Sequence, residues 1–500
     1  MSYSSSMGLE FAATKNRSKI QTATSGMCSM CVEGCSTPCD IGLAAVLGAQ
    51  TVYPLTTGAN TIASEKDYPL DYSHFNINGR VFGAVGADPS YESANIHNVN
   101  LEQSYGTLNP VRLAIPVVLP ALIKLNWKDY FGGAAMAGVT CMIGEDARSR
   151  DKNLKIEHGK VVDFPFLSEV FESFRKYERG YGQIVLQCNV EDNMLGVPEI
   201  AIEKYGADAI EFKFGQSAKG TQPVKRLADL KAALKAQEMG SLVYPDPSDP
   251  AVQKAYEERV CPNFYSYGRL PLWDEAFFAD RIPKLRAMGL KNVYFKMAGY
   301  DSCDLERVLR IAVSNQVDMV TFDGASGGSG YSPSRMMNEW CLPTVQMESI
   351  LVRIAEKLKK EGLKLPAITV TGGFASEDSA FKALALGDGN VCAVGMCRAG
   401  MAAAMNGKAV GDRIAAGDVP EHLKKYGSTI EEIYADLPDL RSIYGTEADT
   451  FSPGAIGVFS FLNKIACGIR HFGALNRKFD RRYFDKSDLI PLTLAAEKLL

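Results

Sequence analysis

The sequence predicts a mixed α/β fold in which eight parallel strands close into a (β/α)8 barrel, or TIM barrel. Short β-branched apolar runs recur along the middle of the chain, and amphipathic helical patterns separate them. Eight such strand–helix units end about a hundred residues before the C-terminus. Alternation of this kind produces parallel sheets, either closed or open. The count of eight favours the barrel, and an open doubly wound sheet is the structural alternative.

The predicted strands share a short run of Val, Ile, Phe and neighbouring apolar residues. In chain order they are 113–119, 139–143, 183–188, 209–214, 293–297, 318–323, 367–373 and 391–395. Helical patterns between them, such as VQMESILVRIAEKLKKEG, often close on glycine, as helix C-termini do. The connection from Gly215 to Lys291 is too long for one helix and is predicted to lie over the catalytic face of the barrel.

The chain therefore divides into three predicted parts. Residues 1–105 form an extension rich in cysteine, and residues 106–400 form the barrel. Residues 401–500, with segments such as FLNKIACGIRHFG, form a C-terminal helical extension.

Composition restricts the class of protein. The net charge of −4 gives no reason to expect nucleic acid or a membrane surface as a partner. The N-terminal residues lack the apolar segment of a signal peptide, so a cytoplasmic location is expected. The longest apolar stretch, VRLAIPVVLPALIKLNW, contains two prolines and a lysine and is too short to span a bilayer. Twelve cysteines in such a chain indicate reduced thiols or metal ligands.

Glycines follow the last two predicted strands, where a TIM barrel commonly binds phosphate. They are Gly372 and Gly373 in VTGGF and Gly395, before Met396, in VCAVGMCRAG. Backbone amides at such turns, together with a helix N-terminus, can bind phosphate oxygens. The alternative is an ordinary strand-to-helix turn. The stretch FDGASGGSGYSP after the sixth strand shifts the balance towards a bound cofactor.

Polar side chains occupy the ends of the other strands. They are Glu145, Gln187, Asn189, Lys213, Gln216, Lys219, Lys296 and Asp323. Because a lysine is rarely buried without a partner, Lys213 and Lys296 indicate a buried anion. A structural ion pair with a neighbouring carboxylate is the alternative for each.

The segments EFKFGQSAKG, GGSGYSP and the spacing from VTGGF to VGMCRAG resemble the FMN-binding synthase domain of glutamate synthase. The similarity is greatest to the short, glutamate-synthase-related form of archaea and anaerobic bacteria, and it covers roughly residues 105–475. That family condenses 2-oxoglutarate with ammonia, and reduced FMN converts the imine to glutamate.

The resemblance implies a role for each matching residue. Gly324, Gly327, Gly328 and Gly330 would let the chain pass close to the flavin and the 2-oxo acid, and Gly372, Gly373, Gly395 and Met396 fall on the phosphate loops. Lys213, Gln216 and Lys219 would contact carboxylates or flavin, Glu145 would handle the imine proton, and Lys296 and Asp323 would lie at the flavin.

The chain also departs from the family. It offers no glutaminase domain and no G-x-G-x-x-G unit for a nicotinamide. Ammonia or an amine is therefore expected from solution or from a separate glutaminase subunit. Electrons are expected from ferredoxin or a reductase subunit within a homo- or hetero-oligomer. The family commonly places cluster ligands just after the last strand, and near that position this chain offers only Cys392 and Cys397.

Four cysteines of the N-terminal stretch MCSMCVEGCSTPCD are predicted to bind a [4Fe–4S] cluster. They are Cys28, Cys31, Cys35 and Cys39. Four thiolates in one short loop suit such a cluster, and structural zinc is the rival. Two further functions stay open: an enzyme of the N-methylglutamate synthase kind, and a flavin-containing electron-transfer or regulatory subunit. A hydroxy-acid oxidase is disfavoured because no histidine lies at the assigned strand ends.

Overall fold

The fold is known from a computed structural model. It describes residues 40–48, 68–216, 224–260, 263–325, 327, 332, 336 and 339–500. Eight parallel strands form a closed barrel in which each strand pairs with the next and the eighth pairs with the first. The strands are β1 Val117–Leu122, β2 Thr140–Ile143, β3 Ile184–Cys188, β4 Ala209–Lys213, β5 Asn292–Ala298, β6 Met319–Asp323, β7 Ala367–Thr371 and β8 Val391–Gly395. The predicted barrel is confirmed.

Helices surround the barrel because each buries one apolar face against the strands. The helices that follow β1 to β8 in turn are α1 Trp127–Ala137, α2 Phe166–Arg175, α3 Val197–Tyr205, α4 Glu275–Ala287, α5 Ser302–Ser314, α6 Thr344–Lys360, α7 Glu377–Leu386 and α8 Cys397–Ala415. In α6, for example, Leu351, Ala355 and Leu358 share the buried face, while Lys359 and Lys360 are exposed in the last turn.

The N-terminal end of the barrel is closed by a hairpin of Gln103–Tyr105 and Val111–Leu113. The hydroxyl of Tyr105 lies 2.7 Å from Thr140 Oγ1 and 2.9 Å from the hydroxyl of Tyr294, inside the barrel. The first strand was therefore predicted too early. Residues 111–113 belong to this hairpin, and the barrel strand itself begins at Val117.

The connection between β4 and α4 forms a small antiparallel sheet of three strands, with Phe264–Tyr267 in the centre between Lys225–Leu227 and Leu242–Tyr244. The helices Leu230–Glu238 and Pro250–Glu257 accompany it. Its last part reaches the carboxyl end of β3, because the backbone N–H of Arg269 donates to Glu191 at 2.7 Å. This connection therefore lies over the carboxyl ends of the strands, as predicted.

The C-terminal residues pack outside the barrel. The long helix α9, Pro453–Leu475, contacts α7 through the rings of Phe381 and Phe472, whose centroids lie 5.5 Å apart. The strands Phe75–Ile77 and Leu489–Pro491 pair antiparallel. The remaining elements are the hairpin Lys155–Glu157 with Lys160–Asp163 and the short helices Asp40–Leu47, Val190–Met194, Ile430–Ile433, Leu437–Tyr444 and Leu494–Glu497. Among the helices of the described residues, none has the length and apolarity needed to cross a membrane.

Candidate active site

Two lysines lie side by side where β4 and β5 reach the mouth of the barrel. Lys213 and Lys296 are Cα partners in the parallel register of the two strands. Both side chains are almost fully buried, at 6% and 5% exposure. Since side chains two positions apart share one face of a strand, Lys296 lies on the same inward face as Tyr294. Such residues at the carboxyl ends of barrel strands are the usual catalytic positions.

Lys213 is paired with a carboxylate. Its ammonium nitrogen lies 2.5 Å from Oε2 of Glu145, and the two side chains are 5% and 6% exposed. Glu145 reaches this position because it opens the 3-10 turn Glu145–Arg150 directly after β2. The ion pair that was the alternative explanation for a buried lysine is thus present at Lys213. Lys296, in contrast, makes no ion pair or hydrogen bond through its ammonium with any described residue.

Glu211 is a buried acid that the sequence reasoning missed. It lies two residues before Lys213 on β4, and its Oε1 accepts a hydrogen bond of 2.5 Å from Gln187 Nε2. Its Oε2 has no hydrogen-bond partner among the described residues. Burial raises the pKa of Glu211, and the charge of Lys296 and the amide of Gln187 partly oppose that shift. The period-two pattern could have revealed it, since Glu211 shares the inward face of Lys213.

The glycines after β6 allow close approach of the protein's own atoms. A Cβ on Gly324 would lie 2.4 Å from Thr344 Oγ1, and one on Gly327 would lie 2.3 Å from Oδ1 of Asp323. Asp323 is buried at the end of β6. The hydroxyl of Thr344 donates to the carbonyl of Gly372 at 2.8 Å and so joins this loop to the loop after β7.

The loops after β7 and β8 differ in what they leave open to a ligand. Gly395 is enclosed, because a Cβ there would lie 2.8 Å from both Pro120 and Thr371. The N–H of Met396 is used by the strand ladder, where it donates to Val118 at 3.1 Å. Gly373 is exposed and has a φ of +94°, in the left-handed region. Of the predicted phosphate loops, Gly373 and the half-buried first turn of α8 are more exposed than Gly372, Gly395 and Met396.

The remaining predicted site residues are either only partly buried or outside the described part of the chain. Gln216 is half-buried three positions after β4. The residues that lie outside the described part of the chain are Lys219, Gly328, Gly330, Cys28, Cys31, Cys35 and Cys39. Among the described residues, no three His, Cys, Asp or Glu side chains converge to bind a metal. Cys392 and Cys397 are free thiols there.

A cleft borders the pair of Lys213 and Glu145. Asn189 and Glu191 line it from the end of β3, and Arg269 lines it from the β4–α4 connection. Arg269 was missed because no local pattern shows which part of a long connection returns to the strand ends. Glu191 was missed although it lies only two residues after Asn189, at the end of a predicted strand. A wider groove between α4 and α5 contains the ion pair of Arg307 and Glu275. It lies on the outside of the helices, away from these strand ends, and is not a candidate for the chemistry.

The chain resembles known proteins in two respects, a set of solved structures and one family model. Among solved structures, a flavocytochrome b2 variant with sulfite bound is 13% identical at a TM-score of 0.45, covering 84% of this chain and 77% of that one. A mandelate oxidase variant with (S)-mandelic acid is 14% identical at 0.43, covering 84% and 86%. These likenesses carry no argument about activity, and the fold rests on the strand pairing itself.

No curated protein matches the sequence significantly. Residues 273–408 match a conserved region in glutamate synthase. That range runs from just before α4 into α8 and contains β5 to β8, with Lys296, Asp323 and Gly373. The resemblance predicted from the motifs is confirmed by this match. Over residues 273–408, which contain four of the eight strands of a closed parallel barrel, the chain is similar to a conserved region of glutamate synthase.

Proposed function

We propose that the protein is an FMN-dependent oxidoreductase of the glutamate synthase type, which converts a 2-oxo acid and ammonia or an amine into an amino acid. One observation carries the proposal. The half of the barrel that matches glutamate synthase supplies Lys296 to the same mouth in which Lys213 and Glu145 are paired. Two lysines and exposed glycine backbone at one mouth suit anionic ligands.

The residues present fit FMN. The buried ammonium of Lys296, which pairs with no described residue, favours a ligand that carries negative charge. Gly373 offers exposed backbone, and the first-turn N–H groups of α8 lack partners within that helix. FMN, when bound and reduced, supplies the hydride. Lys296 would stabilise negative charge on the ring system, and Gly373 with the first turn of α8 would hold the phosphate.

The 2-oxo acid belongs beside Lys213 and Glu145. Attack of ammonia on the keto carbon forms the C–N bond, and the keto oxygen leaves as water. Two electrons and two protons then complete the amino acid. Lys213 would bind the carboxylate, while Oε2 of Glu145, 2.5 Å from the Lys213 ammonium, would hold the proton that passes to or from the substrate nitrogen. Gln216 and Lys219 are proposed to contact the same substrate.

The supply of electrons and ammonia is proposed from the sequence. Cys28, Cys31, Cys35 and Cys39 would bind a [4Fe–4S] cluster. Ferredoxin or a reductase subunit would reduce it, and a glutaminase subunit would release ammonia, in a cytoplasmic homo- or hetero-oligomer.

The absorption spectrum of anaerobically purified protein tests the proposal. We expect flavin bands together with the broad absorption of an iron–sulfur cluster, and bleaching of the flavin when the amino acid product is added. Addition of an N-methyl amino acid in parallel distinguishes ammonia from methylamine as the nitrogen source. A colourless protein that takes up no FMN would refute the proposed function. Bound flavin that no amino acid or 2-oxo acid affects would instead favour an electron-transfer subunit.

A further inference from the structure

Asn189 carries a buried hydrogen-bond donor that no described residue accepts. Its Oδ1 accepts from the backbone N–H of Asp192 at 2.9 Å, which caps the helix Val190–Met194. Because a backbone N–H can only donate, this bond fixes which end of the amide is oxygen. The Nδ2 group therefore points the other way, and it has no partner among the described residues. The residue is 8% exposed.

A buried donor with no partner among the described residues requires an acceptor, which is either a ligand or a bound water. Leaving a buried N–H without an acceptor costs about 1–3 kcal/mol, so such groups normally have a partner. Asn189 and Arg269 both line the cleft beside Lys213 and Glu145. The carboxylates there are already engaged, since Glu145 pairs with Lys213 and Glu191 with Arg269 at 3.2 Å. The group left over is a donor, which selects an acceptor.

We propose that the side-chain amide of Asn189 donates a hydrogen bond to a carboxylate or keto oxygen of the 2-oxo acid, and so is a further substrate-binding residue. This inference rests on the proposed function, because it assumes that the cleft beside Lys213 and Glu145 receives the acid. Donors from β3 and β4, Asn189 and Lys213, would then converge on one anionic substrate. The competing explanation is a buried water bound to Nδ2.

The two ends of this amide can be tested separately. Serine and aspartate cap helices about as well as asparagine does. Asn189→Ser and Asn189→Asp therefore keep an acceptor for the N–H of Asp192 and remove the Nδ2 group from the cleft; ionised aspartate has no donor, and serine has only one hydroxyl on a shorter side chain. Asn95→Ser is the matched control, because Asn95 caps the turn Ile96–Asn98 in the same way and is not among the residues that line the cleft.

The experiment measures the dissociation constant of 2-oxoglutarate by calorimetry with flavin-loaded full-length protein, without ammonia so that no turnover occurs. Loss of one charge-assisted hydrogen bond should weaken binding by about ten- to a hundredfold in Asn189→Ser. Asn189→Asp should weaken it at least as much, since its carboxylate repels the acid. Flavin content and the thermal midpoint should stay near the wild-type values, and Asn95→Ser should bind normally.

Failure of the role of Asn189 and failure of the proposed function give different results. Wild-type affinity in Asn189→Ser and Asn189→Asp would overturn the role of Asn189 and assign its donor to a water, with the proposed function intact. Failure of the wild-type protein to bind any 2-oxo acid, although FMN is bound, would overturn the proposed function and this inference together.

Discussion

The buried pair of Lys213 and Glu145 allows a quantitative prediction. Two unit charges 2.5 Å apart attract by about 7 kcal/mol at an effective dielectric constant of about 20. Most of that attraction offsets the cost of removing both charges from water. Lys213→Met deletes one charge and leaves Glu145 buried at 6% exposure, so we expect it to lower the free energy of unfolding by about 3–5 kcal/mol. Urea unfolding followed by tryptophan fluorescence measures this change.

A second substitution tests the cause. Lys213→Met combined with Glu145→Leu removes both charges, and it should recover most of the lost stability, because an apolar pair can replace a buried ion pair at little cost. Arg307→Met is the matched control, since its pair with Glu275 has a similar length of 2.6 Å but both side chains are more than half exposed. It should leave the urea midpoint almost unchanged. A double variant no more stable than Lys213→Met would show that the buried charge of Glu145 does not cause the loss of stability.

Three further predictions concern the cofactors and the barrel interior. Gly373→Val should yield protein without flavin. Gly389→Val is the control, because Gly389 also has a positive φ, of +74°, and nothing lies near its Cβ; this variant should carry similar backbone strain and keep its flavin. Equal flavin content in the two variants would count against phosphate binding at Gly373. Anaerobic metal analysis should find about four irons per chain at Cys28, Cys31, Cys35 and Cys39, and one zinc without iron would contradict the cluster. Because the folded pKa of Glu211 is raised, its protonated form stabilises the protein fully below its ordinary pKa of 4.5, and that contribution is lost as pH rises through the folded value. Glu211→Gln should therefore gain stability relative to wild type between pH 4.5 and neutral pH in denaturant titrations, and parallel pH profiles would show that Glu211 is not the titrating group.

The barrel was predictable because its strands are encoded locally. A buried parallel strand reads as a continuous apolar run, and eight such runs separated by helices leave few alternatives. The hairpin strand Val111–Leu113 was not recognised, because its apolar residues run directly into those of β1. The pairing of Phe75–Ile77 with Leu489–Pro491 joins residues more than 400 positions apart, and no local pattern contains that information.

The site was predictable to the extent that strand ends meet at one face of a barrel. Lys213, Lys296 and Asp323 lie at that face because their strands end there. The structural reason for Gly324 and Gly372 could not be predicted from the sequence. Gly324 and Gly372 make room for Thr344, which lies twenty positions beyond Gly324 and whose partners only the folded chain reveals.

Reoxidation of the reduced flavin is a direct test of the proposed reductive amination of a 2-oxo acid. Anaerobically reduced protein is mixed with 2-oxoglutarate and ammonia, and methylamine replaces ammonia in a parallel reaction. We expect flavin absorbance to return only when acid and amine are both present, with one amino acid formed per flavin. Lys213→Met should be slower by about thirty- to a thousandfold in kcat/KM. A flavin that stays reduced with every 2-oxo acid and amine, in protein with full flavin content, would contradict it.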